Sequence, residues 1–345
     1  MRPAGNEACP QTPEAARRRV GQGIAAHRAF QLLYRWGTLI TIGLLVVFFG
    51  LVTDGFLAPS NLVNILRSIS IVTVIAIGVS ISLAVGGFDL SVGSVASLAD
   101  AVVISVLIWW GRGTALAVLA AVGACLLVGA FNALLIVRLR VPDMLATLAA
   151  LFIFQGVAMT YTHGGSITAN MMLEDGSTAP GRLTSAFNAI GQVPTIIVVM
   201  MVGVLLVQVF FSFTKQGRYL YMVGGNPEAA RLSGVPIGRY RAYAYLGSAV
   251  FAGLGGIMLA SRIGSSQVNS GSAYLMDAVA AAYIGYSLGG SGKPNAFGTF
   301  IGSILIGVLQ NGLVMVSVPY YAMDIVKGAV LALALTLTYV KKHGS

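Results

Sequence analysis

GGNPEAARLSGVPIGRYR, residues 224–241, is a basic polar island between two long apolar runs at 192–213 and 243–260. Asn226 is a good N-cap, Pro227 suits the first helical position, and Glu228 favours the positive end of a helix dipole. Gly234 supplies a C-terminal stop, with Pro236 just beyond it. The spacing predicts a helix of about two turns near 227–233, about 10 Å long at 1.5 Å per residue. A helix that short is not stable alone in water. Good caps on it, in a loop of a very apolar chain, point to docking against another surface.

The chain around this island has 345 residues, 57% hydrophobic and 9% charged. A soluble domain carries roughly 25% charged residues, so the composition implies an all-α, polytopic membrane protein. The formal charge of +10 does not signal nucleic acid, because the basic residues lie between apolar segments instead of forming a face. Cys9 and Cys125 give neither a disulfide framework nor a metal-ligand spacing. Crossing about 30 Å of hydrocarbon takes about 20 residues. Ten runs qualify: 37–53, 68–86, 92–110, 114–137, 144–161, 192–213, 243–260, 273–288, 297–316 and 321–340. The eighth is short, and the Gly/Ser-rich sequence beside it predicts an interrupted or re-entrant element. Residues 1–36 read as an uncleaved, disordered cytoplasmic tail, 37–340 as the transmembrane domain, 215–241 as a cytoplasmic loop within it, and 341–345 as a second tail. With the N-terminus inside, sixteen Lys and Arg fall on inner segments and four (Arg67, Arg112, Arg182, Arg262) on outer ones. This positive-inside bias puts both termini and residues 224–241 in the cytoplasm.

The chain also repeats itself. Gly93-Ser94, Leu98 and Asp100-Ala101-Val102 recur as Gly271-Ser272, Leu275 and Asp277-Ala278-Val279, and Asn132 recurs as Asn311. The offsets are 178, 177 and 179. Five spans per half is an odd number, which inverts the second half and predicts an inverted five-plus-five repeat with a path at its interface.

Polar residues at membrane depth are the candidates for that path. GGFDLSVGS at 86–94 interrupts an apolar hairpin, and irregular backbone there must be buried in protein or line a cavity. For Asp89 and Ser91 within it, capping of the third span competes with contact to a solute. Asp100 and Asp277, matched by the repeat, divide between a structural role and pore lining. Asp324 and Lys327 share one helix face and are expected to pair. Gln267 and Asn269 carry neutral amides, which suit a polyhydroxylated solute because they exchange hydrogen bonds without fixing a charge, and the repeat-matched Asn132 and Asn311 are candidates for the same path. An ordinary exterior loop is the competing account of the Ser265–Ser266–Gln267–Asn269–Ser270 cluster. Trp109, Trp110, Tyr320 and Tyr321 fit an interfacial aromatic belt, and His163 a span end. GGSGKP at 289–294 is no phosphate loop: the first required glycine is Ser287 and Pro294 follows the lysine. Neither a metal cluster nor a nucleophile–base pair is legible, so an enzyme is not expected.

The motifs at 86–94, Gly217-Arg218-Tyr219, Gly224-Gly225-Asn226, Ala229-Ala230-Arg231-Leu232-Ser233-Gly234 and 307–313 together resemble the ribose-type permeases of bacterial ABC sugar importers, over roughly residues 40–340. The resemblance implies a bacterial inner-membrane subunit paired with a second copy or a paralogue. A cytoplasmic ATPase that uses ATP and Mg would drive it, and a periplasmic sugar-binding protein would supply a monosaccharide. No cofactor would be bound by this chain. Residues 226–234 match the family's coupling helix, which assigns ATPase contact to Asn226, Pro227, Glu228, Ala229, Ala230, Arg231, Ser233 and Gly234. Glu228-Ala229-Ala230 with Gly234 also resembles the EAA-type loop of other importers, but its Ile-x-Leu-Pro tail is absent, which argues for the ribose-type branch. An ion- or proton-coupled secondary transporter is the alternative that the inverted repeat alone would allow.

Overall fold

The computed structural model describes residues 37–173, 175–287 and 293–339. Both tails and most of the phosphate-loop look-alike lie outside the described residues. In chain order the helices are α1 (Gly37–Val52), α2 (Pro59–Ala84), α3 (Val92–Ile108), α4 (Thr114–Ala133), α5 (Asp143–Tyr161), α6 (Ser185–Ile190), α7 (Thr195–Phe213), α8 (Lys215–Gly225), α9 (Pro227–Leu232), α10 (Ile237–Ile263), α11 (Ser272–Ser287), α12 (Ala296–Met315) and α13 (Tyr320–Tyr339). A π-helical turn, Leu134–Arg138, prolongs α4. All but α6, α8 and α9 fall on the ten apolar runs. Among the described residues there is no strand, only the isolated bridges Ile167–Ser266 and Met172–Thr178.

The long helices α2 and α10 lie at the centre, with α3 and much of α12 buried beside them. Buried residues make up 67% of the apolar stretch of α2 and 72% of that of α10, against 28%, 22% and 28% for α4, α5 and α7. The outer three keep leucine, valine and phenylalanine exposed along their length, as a lipid-facing surface requires. α10 packs along α2, α3 and α4, while α11 packs along α12 and α2.

Both central helices begin earlier than their apolar runs. α2 starts at Pro59 instead of 68, passing through Asn61, whose side-chain amide exchanges hydrogen bonds with that of Asn311 on α12 at 3.0 and 3.1 Å. α10 starts at Ile237 instead of 243, and Arg241 in its second turn pairs with Asp143 of α5. Polar residues continue a helix at membrane depth where a neighbour satisfies them.

The irregular segments 85–91, largely buried, and 264–271, with Gln267 exposed, precede α3 and α11. α3 and α11 start from them side by side. A Cβ on Gly271 would lie 2.3 Å from the carbonyl oxygen of Gly93, so no larger residue fits. Ser97 Oγ ties the pair, donating to Gly93 O at 3.1 Å and accepting from Gly271 N at 3.0 Å.

Candidate functional site

The polar island folds as two short helices. Thr214 Oγ1 caps α8 by accepting from Gly217 N at 3.0 Å. Tyr221 donates from its hydroxyl to Pro294 O, and burial pushes that phenol up to about 12, so it remains a donor at neutral pH. α9 has the cap read from the sequence: Asn226 Oδ1 accepts from Ala229 N at 3.0 Å, a bond worth about 1 kcal/mol. It closes with Gly234 at φ +76°, Gly234 N donating to Arg231 O and Val235 N to Ala230 O, each at 3.0 Å. That pair of bonds is a Schellman motif, which satisfies carbonyls the helix end would orphan. Ala230 and Val235 are buried and anchor the turn, while Glu228 and Arg231 pair at 2.7 Å in the open. Leu232 is 85% exposed. Leu232 is no capping residue, and its only mark in the sequence is that it is an isolated leucine in a polar island.

A second feature is a cavity of about 530 Å³ among α2, α10, α11, α12 and α13, lined by Arg262, Tyr274, Asp277, Gln310, Asn311 and Lys327. Lys327 does pair with Asp324, at 3.3 Å, but it also lies 3.5 Å from Asp277 on α11. The Lys327 and Asp277 side chains are 16% and 14% exposed, that of Asp324 90%. The inner contact is therefore the less screened one. The i, i+3 spacing shows one partner of this lysine; the other is brought in by packing.

The remaining sequence-picked polar residues do not share this cavity. Gln267 and Asn269 border a crevice of about 10 Å³. There the backbone N–H of Gln267 and the Ser270 hydroxyl donate to Asp100, a residue the sequence tied to Asp277 rather than to this cluster. Asp89, Ser91 and Asn132 meet in a buried network. Asp89 Oδ1 accepts from Ser91 N at 2.9 Å and Ser91 Oγ at 2.6 Å, and its Oδ2 accepts from Ser248 Oγ at 2.7 Å. Asn132 Nδ2 donates to Ser91 Oγ at 2.8 Å. Asp89 thus holds the residue before α3, instead of capping a first-turn N–H of that helix. Trp109 and Trp110, at the end of α3, border a third cavity of about 620 Å³ with His163, Met171, Met172 and Asp175. Trp109 Nε1 donates to Met171 Sδ at 3.3 Å.

Residues 61–335 match a family described as branched-chain amino acid transport system / permease component. The ribose import permease protein RbsC of Escherichia coli (strain K12) is 33% identical over 309 residues, covering 88% of this chain and 94% of that one. RbsC of Bacillus subtilis (strain 168) is 30% identical over 306 residues, covering 89% and 93%. The xylose transport system permease protein XylH of Haemophilus influenzae is 27% identical over 351 residues, covering 86% and 94%. No solved structure matches the chain. With the family match spanning nearly all the described helices, the chain belongs to the branched-chain amino acid transport system / permease component family, beside the ribose-type permeases, and is a transport component rather than an enzyme.

Proposed function

We propose that this chain is the membrane-spanning permease of an ATP-driven importer that carries a monosaccharide or sugar-like solute from periplasm to cytoplasm. Its best support is α9: a capped helix, closed at both ends, that presents an exposed leucine between the short amphipathic α8 and the long apolar α10. The names of the ribose and xylose relatives support the solute class. In this reading α9 seats in a cytoplasmic ATPase, which uses ATP and Mg, and both termini share its side of the inner membrane. A periplasmic binding protein delivers the solute at the opposite face. A second permease copy or paralogue completes the path, and alternating access moves the solute through it. The charged cavity beside Asp277 and Asn311 is the outward vestibule. The two Gly-Ser pairs packed at Gly93 and Gly271 belong to inverted, related halves.

The test is uptake by proteoliposomes containing the chain, its ATPase and its binding protein. Uptake is expected to need ATP on the ATPase side and to survive an uncoupler. Uptake that collapses with the uncoupler while ATP is plentiful would instead establish the ion-coupled alternative. Glu228→Arg and Gly234→Val are expected to abolish ATP-driven uptake with the protein still in the membrane. Normal uptake by both would refute docking through α9.

A further inference from the structure

We infer that Asp143, Arg241 and Tyr245 are positioning residues of energy coupling, fastening the chain that leaves α9 to segment 85–91 inside the bundle, so that displacement of α9 moves the start of α3. The inference rests on the docking role proposed for α9.

Arg241 Nη2 reaches both carboxylate oxygens of Asp143, at 2.7 Å to Oδ2, and Tyr245 Oη donates to the same Oδ2 at 2.6 Å. Residues 241 and 245 are one helical turn apart on α10, so a single face of that helix grips the first turn of α5. Gly87 lies directly against this knot. A Cβ there would stand 2.4 Å from Tyr245 Oη and 2.7 Å from Asp143 Oδ2. The same two helices hold the next residues as well: Thr147 Oγ1 of α5 shares its proton between Asp143 O at 2.9 Å and Phe88 O at 3.1 Å, and Ser248 Oγ of α10 donates to Asp89 Oδ2.

α8, on the other side of α9, ends on the same segment. A Cβ on Gly224, in its last turn, would lie 2.3 Å from Ala84 O and 2.8 Å from Gly86 N. Both supports of α9 therefore bear on residues 84–89: α8 backbone to backbone at Gly224, and α10 through the hydrogen-bonded side chains of the Asp143 knot. Close-packed interiors pass displacement on instead of dissipating it. From Asp89 the contact continues to Ser91, where α3 begins, and to Asn132 of α4. The Asp143 knot and the Gly224 contact form two parallel linkages from α9 to the helices that would open the path.

The experiment uses the reconstituted complex with ATPase and binding protein, and reads ATP hydrolysed per solute imported together with the amount of ATPase that co-purifies. Asp143→Asn and Tyr245→Phe are expected to retain the ATPase and to raise ATP consumed per solute at least about fivefold, the low end of ordinary coupling factors. Exchanging the charges, Asp143→Arg with Arg241→Asp, is expected to recover much of the ratio lost in Asp143→Arg alone. An unchanged ratio, or hydrolysis and import falling together in proportion, overturns the inference, because a purely structural bond would affect both alike. If the ion-pair variants fail to accumulate, Tyr245→Phe decides alone, since it removes one hydroxyl and leaves the pair. Failure of the docking reading shows separately, as ATPase that still co-purifies when α9 itself is altered.

Discussion

Leu232 is the residue most at odds with its surroundings. A leucine at 85% exposure is ordinary when single, but here it ends a helix whose Ala230, like Val235 just beyond it, is buried. If α9 docks, Leu232 is its anchor, of the kind that dominates interface energetics when buried in a partner's pocket. Leu232→Asp is therefore expected to reduce ATPase co-purification at least about tenfold, which corresponds to about 1.4 kcal/mol, without lowering the amount of permease in the membrane. A pull-down from solubilised membranes measures both. Local chemistry was legible at this scale. Asn226 and Gly234 act on backbone groups within a few residues of themselves, so spacing alone located them. Asp277 and Lys327 lie 50 residues apart, and no spacing rule links them.

The apolar runs locate the middles of the helices better than their ends. Hydropathy falls wherever a polar residue stands, but the helix stops only where its backbone groups lose partners. Asn61 and Arg241 both lie inside helices, each bonded from a different element: Asn61 by Asn311, and Arg241 through Nη2 by Asp143. The Asn61–Asn311 pair joins α2 to α12 through two amide bonds, and such pairs in bilayers contribute about 0.6–2 kcal/mol. Asn61→Leu or Asn311→Leu should lower the thermal unfolding midpoint in detergent, and the double variant should lose less than the sum of the two. Strict additivity would mean that the amides do not act on each other. α6 and α8 were not legible as helices. One is too short for a periodic signal, and the other is an interfacial amphipathic piece with no membrane-length run.

Across the whole molecule, α2 and α10 are the paired axes, and α3 and α11 start where backbones touch at Gly93 and Gly271. The sequence matched those two Gly-Ser pairs at an offset of 178, but not that they face each other. Contact between the two glycines is a property of packing, which no one-dimensional offset contains. Gly271→Leu should prevent that approach and leave little folded protein in the membrane. Gly225→Ala, with open space around its Cβ, is the control expected to accumulate normally. Fluorescence-detected size exclusion of tagged variants compares the two. Equal, monodisperse peaks would show that the contact is dispensable.

Synthesis of the chain reaches segment 85–91 long before its partners exist. Ser248, which bonds Asp89 Oδ2, is made 159 residues later, about 8–32 s at ordinary elongation rates. Until then the hairpin of α2 and α3 holds a carboxylate at membrane depth with only its own serine to bond it. The α2–α3 hairpin therefore gains its last bond to Asp89 only when α10 has been made, so its hydrogen bonding closes long after its own translation.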